Sequence, residues 1–172
     1  AHLWIHQERA REMLARLGFL VVKALTYQTA PARLAHLVLP AAGWGEKDGV
    51  FINSERRLGL VKKVARAPGQ ALADFAIFQL IAQAWGCGGL FARWSSPGAA
   101  FQLLKETTRG RPCDITGIRD YAMIEECGGI QWPFTGADAA GGTAARGAHR
   151  RLFADGRFAH ADGRARFIFE TP

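Results

Sequence analysis

The stretch Leu37-Val38-Leu39-Pro40-Ala41-Ala42-Gly43-Trp44-Gly45-Glu46-Lys47-Asp48-Gly49 decides the fold class. Its first three residues form an apolar run without alternation, as in a strand covered on both faces, and Pro40 ends it. Phe19-Leu20-Val21-Val22 has the same texture. About a dozen residues separate the two runs, near the minimum for a right-handed crossover between parallel strands. Pro31 stands near the start of a short helix over 32–35 within that connection. The N-terminal third therefore reads as α/β with a parallel sheet. The loop that follows carries Gly43, Gly45 and Gly49 around Lys47, at the end of a strand, where α/β folds usually keep their ligands.

Outward from this stretch, Ala10, Met13, Leu14 and Leu17 recur at helical spacing, predicting a helix over 6–17 that Gly18 closes. A short strand is expected over 58–64. Asp74 opens a helix running to Trp85, apolar over so much of its circumference that burial is expected. Ser96 and Pro97 read as the N-cap and first position of another helix, and a shorter one spans 119–126. Residues 136–147, almost wholly Gly, Ala, Thr and Asp, read as a flexible surface loop. Asp155-Gly156 and Asp162-Gly163 each lie between strand-like runs, predicting a small antiparallel β meander.

The chain has 172 residues, 49% apolar and 22% charged, which suits one ordinary core and excludes a fibrous or low-complexity protein. Its net charge of +7 suits an anionic partner without choosing among nucleic acid, membrane surface and phosphorylated cofactor. Cys87, Cys113 and Cys127 match neither a disulfide framework nor a paired-cysteine metal ribbon, so a reducing, cytoplasmic setting is expected. The uncharged run over 75–92 is no membrane span: Gln79 and Gln83 sit inside it, and Gly86, Gly88 and Gly89 would break a helix there. The start at Ala1 and the stop just after a strand-like run lead us to expect a piece of a longer protein, whose targeting signal could lie upstream.

Few side chains form a constellation. Arg56, Arg57, Lys62, Lys63 and Arg66 are a dense basic run, but a charged run beside a buried segment is usually a solvated face. Nucleic-acid readers add interleaved aromatics or a docking helix, and neither is written here. The five histidines are scattered, with no protein-ligated metal site at ligand spacing. Cys113 reads as a small hydrophobe in a loop, and Asp114, Asp120, Glu125 and Glu126 as carboxylates without a visible partner. No catalytic residue is assigned. Lys47 in its glycine loop could meet a diphosphate or a pterin ring, and Asp74 could accept the N1 and N2 protons of guanine. Each also has a structural reading, Lys47 as a solvated loop tip and Asp74 as a helix cap, and chemistry alone favours the structural one for both.

The run from Leu37 to Gly49, followed by Phe51-Ile52-Asn53-Ser54-Glu55-Arg56-Arg57, closely resembles a segment of the molybdopterin oxidoreductases that carry bis-molybdopterin guanine dinucleotide, the assimilatory nitrate reductases most of all. The similarity continues in order through Ala67-Pro68-Gly69, Asp74-Phe75, Gly128-Gly129-Ile130-Gln131-Trp132-Pro133, Leu152-Phe153-Ala154-Asp155-Gly156-Arg157-Phe158 and Asp162-Gly163-Arg164-Ala165-Arg166-Phe167. It implies an internal fragment of a catalytic subunit. Residues 1–134 would be a partial, Rossmann-like parallel-sheet cofactor domain, 135–149 a flexible loop, and 150–172 the β meander leading towards a further domain. It also implies that Lys47 and Asp74 contact one guanine dinucleotide. After the first strand, where relatives carry Gln-Asp or Ser-Asp near the nucleotide, this chain has Lys23-Ala24, so that contact is not carried over. The implied activity is reduction of nitrate to nitrite, with electrons arriving from a donor protein through a 4Fe-4S cluster bound outside this segment, and no activity in the segment alone. The implied partners are the rest of the same catalytic chain, the electron donor and nitrate, with neither nucleic acid nor a membrane span. A formate dehydrogenase of the same family, or a basic nucleic-acid module, is the alternative.

Overall fold

The computed structural model describes residues 5–142 and 149–170. Helix α1 (Gln7–Ala15) leads into strand β1 (Val21–Ala24), helix α2 (Ala30–Leu34) and strand β2 (Leu37–Pro40). Thr29 caps α2 through its hydroxyl, with Pro31 in the first turn, so the short crossover has its own stop and start signals. β1 and β2 pair in parallel, Lys23 opposite Leu39 and Ala24 opposite Pro40. The expected parallel pair is therefore present, shifted two residues later at β1.

The strands are not covered on both faces. Val21 and Leu37 are 39% and 44% exposed, and on α3 (Asp74–Ala84) only Ile77 and Ala82 are buried, while Phe78 is 61% exposed. The apolar runs do form a strand pair and a helix, but burial needs a second layer, and among the described residues none covers these faces.

The main core lies elsewhere, around an antiparallel sheet of β3 (Gly49–Ile52), β4 (Arg57–Val61) and β5 (Ile130–Gln131). Leu58, Phe101, Ile115, Ile118, Ile124, Cys127, Ile130 and Phe134 form its buried cluster. Phe101 comes from α4 (Pro97–Thr108), which Ser96 caps as expected, its hydroxyl accepting from the Ala99 amide at 3.1 Å. Ile124 comes from α5 (Tyr121–Glu126), capped by Asp120. Between these helices the buried Asp114 accepts from the Gly110 and Thr116 amides and from the Thr116 hydroxyl, holding Ile115 and Ile118 inward. The carboxylates at Asp114 and Asp120 thus shape loops and caps.

Two expectations for the C-terminal part need correction. Residues 136–140 form a short helix, α6 (Gly136–Ala140), because Thr135 and Asp138 close a reciprocal cap; residues 143–148 lie outside the described residues. Residues 149–170 contain no strand. Both Asp-Gly turns do form, with Gly156 and Gly163 at φ of 71° and 68°. The Phe158 amide donates to the Gly163 carbonyl at 2.8 Å, and Phe153 stacks on Phe158 at 4.7 Å. Turn chemistry alone does not make a meander, since an isolated hairpin without a covered face is marginal in water. Phe167, Ile168 and Phe169 are at least 80% exposed. No helix among the described residues is long and apolar enough to cross a membrane.

Candidate cofactor site at the strand ends

The parallel pair extends by one bridge. Leu72 lies parallel to Ala41, its amide donating to the Pro40 carbonyl and its carbonyl accepting from the Ala42 amide at 2.8 Å. The Ala41 amide in turn donates to the Ala24 carbonyl at 3.0 Å. Ala24, Ala41 and Leu72 therefore lie along one rim, at or just beyond the C-terminal ends of β1 and β2. Two residues beyond Leu72, Asp74 opens α3, so its carboxylate lies at a helix N-terminus on that rim.

The glycine loop folds back onto the same rim. Residues Trp44–Glu46 make a single tight turn, with the Gly43 amide donating to the Glu46 carboxylate at 2.7 Å. The Gly45 carbonyl accepts from the Val64 and Ala65 amides, and the Asp48 carboxylate from the Lys63 amide, tying the loop to the chain beyond β4. A Cβ on Gly45 would meet Val64 at 3.1 Å, which explains a small residue there. Lys47 leaves this turn in extended conformation, and its ammonium forms an ion pair with one oxygen of Asp74.

The other Asp74 oxygen pairs with Lys23 of β1. The three side chains are between 29% and 33% exposed. Hydrogen bonds first from Lys23 and then from Lys47 hold the Asp74 carboxyl down to about 2, so it is ionised at neutral pH and the trio carries one net positive charge. Beside it a cavity of about 330 Å³ is lined by Glu46, Lys47, Lys63, Phe75, Gln79 and Ser96. An ionised carboxylate flanked by ammoniums can accept a pair of N–H donors while the excess cation attracts a phosphate.

Lys47 and Asp74, singled out from sequence, are thus in direct contact. Lys23 was missed. The available signal was a charged residue directly after an apolar strand run, at the end where α/β folds bind ligands. Most of the basic run is engaged within the chain. Arg56 donates to the Trp132 and Arg150 carbonyls and lies 5.3 Å from the Trp132 ring, Arg57 donates to the Gly129 carbonyl, and Lys62 pairs with Glu125. No cluster of histidine, cysteine or carboxylate side chains fit for a metal ion exists among the described residues.

Residues 2–84, which include both parallel strands, Lys23, Lys47 and Asp74, match the molybdopterin oxidoreductase family model. The chain is 31% identical over 163 residues to a nitrate reductase of Synechocystis, covering 95% of this chain and 22% of that protein. It belongs to the molybdopterin oxidoreductase family. The assimilatory nitrate reductase catalytic subunit of Bacillus subtilis is 34% identical over 155 residues, 90% of this chain and 20% of the relative. The F420-dependent formate dehydrogenase subunit alpha of Methanocaldococcus jannaschii is 46% identical over 128 residues, 74% of this chain and 17% of the relative. The chain therefore spans about a fifth of the length of these relatives. A molybdopterin cofactor goes with the family.

Proposed function

We propose that the chain supplies part of the dinucleotide-holding scaffold of a molybdenum oxidoreductase catalytic subunit that reduces nitrate to nitrite. The observation that carries the reading is the Lys47–Asp74 ion pair at the C-terminal rim of the parallel strands. Its donor set fits the guanine dinucleotide form of molybdopterin. Both Asp74 oxygens keep lone pairs beyond those used by the lysines, and guanine presents two adjacent N–H donors to such a carboxylate. Lys47 balances the diphosphate, and the first turn of α3 adds its favourable dipole. Bound, the cofactor supplies two-electron exchange with the substrate. The chain's own part is to bind and orient it. Iron–sulfur, substrate and electron-donor contacts, and a cytoplasmic setting, belong to the same proposal.

Nitrate is favoured by likeness to nitrate reductases that runs over 95% and 90% of the chain. The higher identity, 46% over 74% of the chain, supports a second reading in which formate is oxidised. Turnover of the intact enzyme with nitrate and a reduced dye, against formate and an oxidised dye, separates the two. Nitrate turnover with no formate oxidation supports the first, and the reverse result overturns it.

A further inference from the structure

We propose that Lys23 is a positioning residue of this site, holding the Asp74 carboxylate in one rotation jointly with Lys47 and supplying the positive charge that attracts the cofactor's phosphates. This rests on the reading that a guanine dinucleotide sits at Asp74 and Lys47. β1 is separated from the Leu72 bridge by the whole of β2, so the Lys23 side chain crosses a neighbouring strand to reach a carboxylate 51 positions away. Lysine in a short strand at a sheet edge normally turns its charge to water. Here it turns inward along the rim.

Two features of the contact suit a ligand. Lys47 and Lys23 engage different oxygens of Asp74, which fixes the carboxylate's rotation about its last bond, as a bidentate base contact requires. The Lys47–Asp74 pair alone is neutral, whereas Lys23 leaves the trio with one uncompensated cation. An ammonium has three N–H donors and spends one on Asp74, leaving others for phosphate oxygens.

The test uses the intact holoenzyme, with Lys23→Met, Lys23→Arg, Asp74→Asn and the Lys23→Met/Asp74→Asn double variant. Molybdenum and the GMP released by acid hydrolysis are measured per polypeptide, with Tm as the control for folding. Lys23→Met should lower GMP content about two- to fivefold, the scale of a partly exposed charge contact. Lys23→Arg should restore it. The part of the Lys23 effect that runs through Asp74 vanishes in the Asp74→Asn background, so the double variant should lose less than the two single losses combined. A merely structural tether would lower Tm in Lys23→Met and leave GMP per folded protein unchanged, and that result overturns the proposal. Full GMP in Lys23→Met beside a loss in Asp74→Asn overturns the role of Lys23 alone. No GMP from the wild type, or a full complement in Asp74→Asn, overturns the guanine reading and the role of Lys23 with it.

Discussion

Lys47, which leaves a glycine-bounded turn, and Asp74, which opens α3, form an ion pair between residues 27 positions apart. The pair joins the end of β2 to the helix that begins beyond Leu72, so it fastens the rim on which the dinucleotide is proposed to lie. Asp74→Asn keeps the shape but gives up one acceptor and the charge. It is expected to cost about 1–3 kcal/mol of cofactor binding, read as lowered molybdenum and GMP content of the intact enzyme.

The same carboxylate sets a pH dependence. Its folded value of about 2 lies below the ordinary 3.8, chiefly through hydrogen bonds from Lys23 and Lys47. A depressed carboxyl contributes stability that is fully present above its unfolded value and is lost as pH falls through the folded one. Wild type should exceed Asp74→Asn by on the order of 1 kcal/mol at neutral pH, reduced from the full shift by solvent screening. The difference should close between about pH 4 and pH 2. Urea titrations of both proteins across that range check it, and a pH-independent difference would remove the ion pairs as its cause.

How much of this was legible in the sequence depends on the scale of the cause. Caps and strand texture act locally, so Ser96, Pro31 and the runs at 19–22 and 37–39 led to their elements. Gly49–Ile52 was not foreseen as a strand: it is only four residues long, and the loop over 53–56 that pairs it with β4 carries no Asn-Gly or Asp-Gly signal. The core around Ile118 and Phe134 sits in loops with no periodicity to read. At the site, Lys47 and Asp74 were singled out through the family resemblance, since residue chemistry alone favoured a structural role for each. Lys23 was not: its place directly after an apolar strand run was a local signal, but its partner lies 51 positions away and nothing in the sequence pairs the two.

Gly117 illustrates such a non-local constraint. Its amide donates to the Phe134 carbonyl at 2.9 Å, and a Cβ would stand 2.1 Å from the Thr135 carbonyl oxygen, a backbone atom that cannot swing aside. Gly117→Ala is expected to destabilise the fold by about 3 kcal/mol through displaced backbone and strain. Denaturant midpoints measure this, and a loss within 0.5 kcal/mol, the usual surface value, would mean the loop relaxes freely.

Arg150 anchors the start of residues 149–170. It pairs with Asp138, donates to the Pro133 carbonyl, and its own carbonyl accepts from Arg56. Hydrogen bonds from Arg150 first, and then from Thr135, hold the Asp138 carboxyl at about 2. Arg150→Met should cost about 1–3 kcal/mol by leaving those acceptors without their donor. Hydrogen exchange should rise in residues 149–160 before it rises in β4. Unchanged exchange there would show that the tail is held by other contacts.

The last prediction concerns Lys105, whose ammonium is buried beneath α4. It donates to the Gln102 side-chain oxygen at 2.7 Å and to the Ile118 and Arg119 carbonyls, so the charge is satisfied entirely by neutral acceptors. Burial pushes its pKa below the ordinary 10.5. Two effects oppose each other in Lys105→Met. Removing a buried charge relieves its desolvation, while the buried Ile118 carbonyl and the Arg119 carbonyl beside it lose their donor. Methionine brings no donor in exchange, so the lost bonds dominate and the variant is expected to be less stable by about 1–3 kcal/mol at neutral pH. The sign of the pH dependence separates this from a packing defect. With a lowered folded value, the unfolded state binds the proton more tightly, so wild-type stability relative to Lys105→Met should rise as pH passes through the alkaline range up to the unfolded value. Paired denaturation curves from neutral to alkaline pH measure that difference, and one that stays flat would sink the assignment of Lys105 as a desolvated cation.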